Sequence, residues 1–189
     1  MIFQLNFPDP GQLDRLIAAQ KGKPFSYPKS TERLKGFDYD DNLVLLGEGD
    51  AVFEAGCAAL RRWAMFPGGW ARLYSDATPI EIGRVVVMYA RILGLWWLNV
   101  SRIVYTVGET HRFGFAYGTL AHHAERGEEL FQIEMDDEGR VWYRIRAFSQ
   151  PRFWGAQLAY PFSRHLQRRF IRESLHNMKT TTHGLLTTH

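Results

Sequence analysis

The sequence is nearly devoid of cysteine: Cys57 is the single one in 189 residues. A lone cysteine cannot form an internal disulfide, and it excludes the usual cysteine-based zinc sites. It lies in the apolar run "AVFEAGCAAL", which predicts a helix. We therefore interpret Cys57 as a small packing residue on the buried side of that helix.

The short motifs that hold cofactors or nucleophiles are also missing. The sequence contains no phosphate-binding G-x-x-x-x-G-K, no G-x-S-x-G nucleophile elbow and no Cys-x-x-Cys. Gly47-Glu48-Gly49 begins like a dinucleotide-binding loop, but Val52 stands where the third glycine is needed. We expect no cofactor and no metal.

Neither a long apolar run nor a strong charge excess is present. Residues 85–100 are the most membrane-like stretch, but they fall short of the ~20 residues of a spanning helix, and Arg91 interrupts them. Lys and Arg exceed Asp and Glu by only 23 to 20. We interpret the main basic stripe as a solvated helix face, because no aromatic side chains interleave with it on the polar face. The stripe consists of Arg164, Arg168, Arg169 and Arg172. We expect a cytoplasmic protein without a nucleic-acid partner or stable membrane insertion.

The residues that are present predict an α+β fold. Residues 70–148 form β-branched and aromatic segments joined by short turns, which is typical of antiparallel strands. A helix is expected over 50–63, and a second, long one, which Pro161 should kink or divide in two, ends near Met178. We predict one domain over residues 1–178, in which a curved sheet wraps around the C-terminal helix, and a disordered tail over 179–189.

The stretch "RFGFAYGTL" (112–120) carries the strongest alternation in the chain. Phe113, Phe115 and Tyr117 fall on one face of the predicted strand, while the other face holds only glycine and alanine. We expect the rings to face the helix. The small residues would then lie on the convex side, where the sheet can bend sharply.

Several segments, read in order, resemble a known family. They are "PFSYPKSTER", "LGEGDAVFEAGCAALRRWAMFP", "FGFAYGTL", "HAERGEELFQIE" and "VWYRIRAFSQP". The family consists of bacterial and plant proteins with a domain of unknown function. It is grouped with the START-like helix-grip superfamily, which includes pollen-allergen-type proteins and aromatic polyketide cyclases. The resemblance covers roughly residues 24–175, and it departs at "LAHHAERGEE", where the family has "LPGHPERGEE".

What the resemblance implies is a hydrophobic or amphipathic small molecule held between sheet and helix. Strand parity and the helix pattern then give the expected lining of such a cavity. The predicted lining residues are Tyr105, Phe113, Phe115, Tyr117, Glu129, Phe131, Tyr143, Trp154 and Leu158.

Glu129 is the most informative polar residue in this set. Parity places it on the same side as Phe131, so it is either a buried carboxylate that needs a partner or a group that reaches water at the strand's open end. The neighbouring cluster of His122, His123, Glu125 and Glu128 is interpreted as a solvated loop rather than a metal site, because adjacent histidines on an extended segment point in opposite directions.

Three functional hypotheses follow from these residues. The first is a binding module for a hydrophobic or aromatic small molecule. The second is an enzyme of the cyclase, hydratase or hydrolase kind, with Glu129 or His123 as its acid or base. The third is a structural or interaction protein with a filled core. The sequence leaves the ligand, any reaction and the oligomeric state open.

Overall fold

The structure, a computed structural model, describes residues 2–28, 33–74, 79–121, 123–151 and 160–187. In these ranges the strands are β1 (Ile2–Gln4), β2 (Asp38–Glu48), β3 (Ala71–Leu73), β4 (Val85–Ile92), β5 (Leu95–Glu109), β6 (Arg112–Thr119), β7 (Glu125–Met135) and β8 (Arg140–Pro151). The helices are α1 (Pro10–Gln20), α2 (Asp50–Arg61) and α3 (Tyr160–Thr187).

All the strands belong to one antiparallel sheet. Its order is β2-β8-β7-β6-β5-β4-β3, and β1 pairs with β5 beside this path. Most neighbours in the sheet are also neighbours in the chain, which is the arrangement that short turns produce. The predicted α+β fold, a curled antiparallel sheet with a long C-terminal helix, is confirmed.

The apolar run over residues 85–100 forms a hairpin instead of a helix. Ile92 pairs with Leu95, so the turn between β4 and β5 has only two residues. These are Leu93 and Gly94, and both have positive φ, 51° and 80°. Two left-handed residues match the twist of the flanking strands. No helix in the described ranges is long and apolar enough to cross a membrane.

The inner face of the sheet packs against α2 and α3. Phe115 on β6 pairs with Phe131 on β7, which pairs with Ile145 on β8, and all three side chains are fully buried. Leu60 on α2 and Phe170 on α3 belong to the same core. The alternation of each strand therefore produces continuous rows of apolar side chains beneath the two helices.

The outer face is covered in part as well. Helix α1 places Leu13 against Val87 and Leu98 in a second apolar cluster. Asp9 caps this helix by accepting a hydrogen bond from the backbone N–H of Gln12 at 3.1 Å. The N-terminal helix thus protects strands that would otherwise expose apolar side chains to water.

The glycine-bearing side of "RFGFAYGTL" faces outward as predicted, but it is not open. Phe25 and Tyr27 cover Gly118 so closely that a Cβ there would clash with the Tyr27 hydroxyl. A Cβ on Gly114 would clash with the carbonyl oxygen of Phe131. The missing side chains therefore admit a covering segment at one end and a close approach of β7 at the other.

Helix α3 differs from the prediction at its C-terminal end. At its start, Pro161 lies in the first turn, where the missing N–H is harmless, so it does not kink α3. A division of the predicted helix at Pro161 stays a prediction, because residues 152–159 lie outside the described ones. The helix continues to Thr187, and the predicted disordered tail over 179–189 is wrong for the residues up to 187. Ser174, Met178 and Thr182 are fully buried at four-residue spacing. Ser174 and Thr182 are polar, so the apolar pattern in the sequence ends before the helix does.

We predict that Gly114→Ala destabilises the protein while Gly108→Ala does not. Both glycines lie in strands and neither has a positive φ, but a Cβ on Gly108 would meet nothing within 4 Å. A Cβ on Gly114 would also lie 3.0 Å from the Cα of Gln132, so the backbone must shift. We expect a loss of about 2 kcal/mol in the free energy of unfolding, measured with urea. Equal midpoints for the two variants would contradict this explanation.

Candidate functional site

A cavity of about 480 Å³ lies between the inner face of the sheet and the first half of α3. Helix α3 lines it with Phe162, Leu166 and Phe170, which share one face at four-residue spacing. Strand β4 contributes alternate residues. Thirteen of the 25 described lining residues are apolar: Trp70, Met88, Ala90, Ile92, Trp97, Ala124, Ala147, Phe148, Pro151, Phe162, Leu166, Phe170 and Ile171.

The polar part of the lining includes two carboxylates on β7. Glu125 and Glu129 stand on the same face of the strand, with Gly127 between them. Gly127 has φ 154°, and a Cβ there would clash with the carbonyl oxygen of Phe148 on β8. Its N–H donates to Thr119 Oγ1 at 2.9 Å, and the same hydroxyl donates to its carbonyl at 3.1 Å. The strand is thus fixed between the two carboxylates.

Glu129 is held by a tyrosine on the next strand. Tyr117 and Glu129 are register partners, and the Tyr117 hydroxyl donates to Glu129 Oε2 at 2.7 Å. The side chain is half-buried because it faces the cavity, yet it lies deep in the protein. This burial raises the pKa of Glu129 to about 7. The hydrogen bond from Tyr117 lowers this pKa, whereas the nearby charges of Glu125 and Asp40 raise it.

Glu125 sits in a much denser set of hydrogen bonds. Ser163 Oγ donates to its Oε1 at 2.9 Å, and the side-chain amide of Gln167 donates to its Oε2. Burial raises the pKa of Glu125, while the hydrogen bonds from Ser163, Gln167 and Ser149 oppose that change. Both donors on α3 lie in the half of the helix that covers the cavity. They therefore attach the helix to β7.

An ion pair attaches the same part of α3 to β2. The Arg164 guanidinium donates to both carboxylate oxygens of Asp40, at 2.7 and 2.9 Å. This bidentate contact with Arg164 holds the pKa of Asp40 below its usual value, although burial acts in the opposite direction. Asp40 also lines the cavity, so its charge is already neutralised at the wall.

Two of the predicted lining residues, Tyr117 and Glu129, reach the cavity. Phe115, Phe131 and Tyr143 are fully buried in the packed core beside it and do not line it. The Tyr143 hydroxyl is satisfied by the Ser174 hydroxyl at 2.9 Å. These three rings are therefore core residues.

Tyr105 and Phe113 lie elsewhere. A register shift between Ile103 and Tyr105 turns Tyr105 to the outer face, where it pairs with Ala116 and is 38% exposed. Phe113 packs under the guanidinium of Arg61, whose Cζ is 4.2 Å from the ring centroid. The prediction that these two line the cavity is wrong. Trp154 and Leu158 lie outside the described residues.

The sequence reasoning missed several lining residues. The stretch 70–148 was expected to form strands, but the alternation within β4 that brings Met88, Ala90 and Ile92 inward was not used to assign lining residues. The parity that identified Glu129 also marks Glu125, four residues earlier. His123 lines the cavity too, and its Nδ1 accepts from the Glu125 N–H at 3.1 Å. His122 lies outside the described residues. Among the described residues, no three acidic, His or Cys side chains are placed to hold a metal.

Comparisons with known proteins agree with this geometry. A family model described as "Domain of unknown function (DUF1990)" matches residues 26–177. The chain is 36% identical to a UPF0548 protein of Dictyostelium discoideum over 158 residues, which cover 77% of this chain and 73% of that protein. It is 35% identical to a UPF0548 protein of Deinococcus radiodurans over 186 residues, 90% and 94% of the two chains.

Solved structures with little sequence identity share the fold. Ara h 8.0201 matches with a TM-score of 0.53 at 9% identity, covering 79% of this chain and 99% of its own. Zhui aromatase/cyclase from Streptomyces sp. R1128 matches with a TM-score of 0.54 at 13% identity, covering 78% and 94%. The helix-grip fold is therefore confirmed.

We predict that Glu129→Gln stabilises the protein at pH 8 but not at pH 4. The folded-state pKa of about 7 exceeds the usual 4.5, so this carboxyl lowers stability as the pH rises through that window. Glutamine removes the buried charge, and its amide oxygen can still accept from Tyr117. We expect a gain on the order of 2 kcal/mol at pH 8, measured by urea unfolding.

Glu54→Gln serves as the control, because Glu54 is exposed on α2. This substitution also removes one carboxylate charge, but from an exposed position, so it should change stability little at either pH. A gain for Glu129→Gln that is equal at pH 4 and pH 8 would contradict the assignment.

Proposed function

This chain belongs to the DUF1990 family, a family of unknown function, and we propose that it binds a small, largely apolar molecule between its sheet and α3. The observation that supports this is the cavity of about 480 Å³. Sites for small molecules are concave, mostly apolar and commonly 300–1,000 Å³ in volume. A void of this size forfeits many packing contacts, and a bound molecule would restore them, which favours a binding function over a filled core.

The distribution of lining residues indicates an amphipathic ligand. Aromatic and aliphatic side chains from β4, β5 and α3 form the walls, including Trp97, Phe162 and Leu166. Glu125 and Glu129 on β7 belong to the polar part. Apolar walls supply binding energy through burial, and a few polar groups fix the orientation of a ligand.

A second candidate function, acid–base catalysis in the same cavity, is favoured by one observation. The pKa of Glu129 lies at about 7, and a general acid or base works best when its pKa is near the operating pH. The Tyr117 hydroxyl would orient the carboxyl through its 2.7 Å hydrogen bond. In that case Glu129→Gln would abolish turnover of a bound substrate and leave affinity for a neutral apolar dye unchanged.

We predict that Ala147→Trp blocks binding of a neutral apolar dye such as Nile red. Ala147 lines the cavity beside Glu129, its register partner on β7, so an indole ring at this position would occupy the void. We expect at least about a tenfold loss of affinity in a fluorescence titration. Native mass spectrometry of the purified wild-type protein would show whether a small molecule co-purifies.

Arg146→Trp is the matched control. Arg146 precedes Ala147 on the same strand, is exposed and points to the opposite face. This variant should bind Nile red like the wild type. Undiminished binding by Ala147→Trp, with circular dichroism showing a folded protein, would place the dye outside the cavity and overturn the proposal.

A further inference from the structure

We propose that the polar part of the ligand is an amine in its ammonium form and that it binds at the carboxylate of Glu129. This inference rests on the proposed function, and it names the chemical class of molecule that the cavity accepts. It is argued from the charges of the lining and from the hydrogen-bonding capacity that the protein itself leaves unused.

The charge of the cavity wall is one-sided. Its described lining residues include Asp40, Glu125, Glu128 and Glu129, but no lysine or arginine. At these described residues an anionic headgroup would meet carboxylates, and charges of like sign in a poorly hydrated site repel strongly. A cationic group would be attracted to the same wall.

Two of the four carboxylates are already occupied. Asp40 is neutralised by the bidentate contact with Arg164, at 2.7 and 2.9 Å. Glu128 accepts a hydrogen bond from the Tyr27 hydroxyl at 2.7 Å, on the outer side of the sheet. Neither carboxylate is therefore available to a molecule inside the cavity.

The remaining two differ in how fully the protein satisfies them. Both oxygens of Glu125 accept hydrogen bonds from α3, from Ser163 and Gln167. Among the described residues, Glu129 accepts only from Tyr117, at its Oε2. In the described part of the chain, Oε1 of Glu129 accepts no hydrogen bond, although a carboxylate has about four acceptor sites.

An ammonium group supplies what this carboxylate lacks. It donates up to three hydrogen bonds and carries a positive charge, so it can bind Oε1 while Tyr117 keeps Oε2. The aromatic side chains of Trp97, Phe162 and Phe170 in the same lining suit the apolar part of the molecule and also favour a cation over a ring face. The expected ligand is an amphipathic amine.

The groups around Glu129 determine how binding depends on pH. Tyr117 on β6, Tyr143 on β8, Asp40 on β2 and Glu125 on β7 all influence its carboxyl. Arg164 on α3 is paired with Asp40, and His123 also lines the cavity. Protonation of Glu129 removes the charge that binds the ammonium, so amine affinity should fall between pH 8 and pH 5.5. Protonation of His123 would act in the same direction.

The test compares decylamine, decanol and decanoate as competitors of Nile red at pH 8. An alkylamine is protonated at this pH. We expect decylamine to bind at least about tenfold more tightly than decanoate. In Glu129→Gln that advantage and the pH dependence of decylamine binding should disappear, while decanol binds as before. Glu54→Gln, which removes an exposed carboxylate, should behave like the wild type.

The outcomes separate this inference from the function on which it rests. If none of the three compounds nor Nile red binds, the proposed binding function fails. If decanoate binds as tightly as decylamine, binding stands and the amine class is wrong. If Glu129→Gln keeps the amine preference or its pH dependence, another group such as the Glu125 carboxylate recognises the cation, and the assignment to Glu129 is overturned.

Discussion

The register of β6, β7 and β8 determines which part of the interior is a packed core and which part contains the cavity. Strand pairing aligns inward side chains in rows, and the row of Phe115, Phe131 and Ile145 is fully buried. The next row contains Tyr117, Glu129 and then Ala147. A methyl group and a carboxyl replace two large apolar side chains, so the packed interior stops at this row and the cavity begins.

Helix α3 follows the same division. Its second half is buried through Ser174, Met178 and Thr182, whose small or flexible side chains let the helix pack against the solid part of the core. Its first half spans the cavity and is held by polar contacts, the Asp40–Arg164 ion pair and the hydrogen bonds to Glu125. Polar attachment supports the helix over a void where apolar packing is missing.

Alternation explains both the success and the failures of prediction from the sequence. Parity along β6 and β7 correctly turned Phe115, Tyr117 and Glu129 inward, because nothing interrupts those pairings. On β5 a bulge before Tyr105 reverses the inward and outward alternation of the side chains, and no residue type in that strand indicates the bulge. Parity also cannot distinguish an inward side chain in the core from one that lines a void. That difference depends on what packs opposite, which is a property of the tertiary structure.

Glu129 combines two properties that a purely structural residue would not retain. Its burial raises the pKa to about 7, so its charge weakens the fold at neutral pH, and a glutamine of the same shape would remove that penalty. Glu125 is buried on the same strand, yet the protein satisfies both of its oxygens. A destabilising carboxylate with unused acceptor capacity, facing a void, is typical of a functional group. The contrast between these two glutamates is the reason why we propose that the polar group of the ligand binds at the Glu129 end of the cavity.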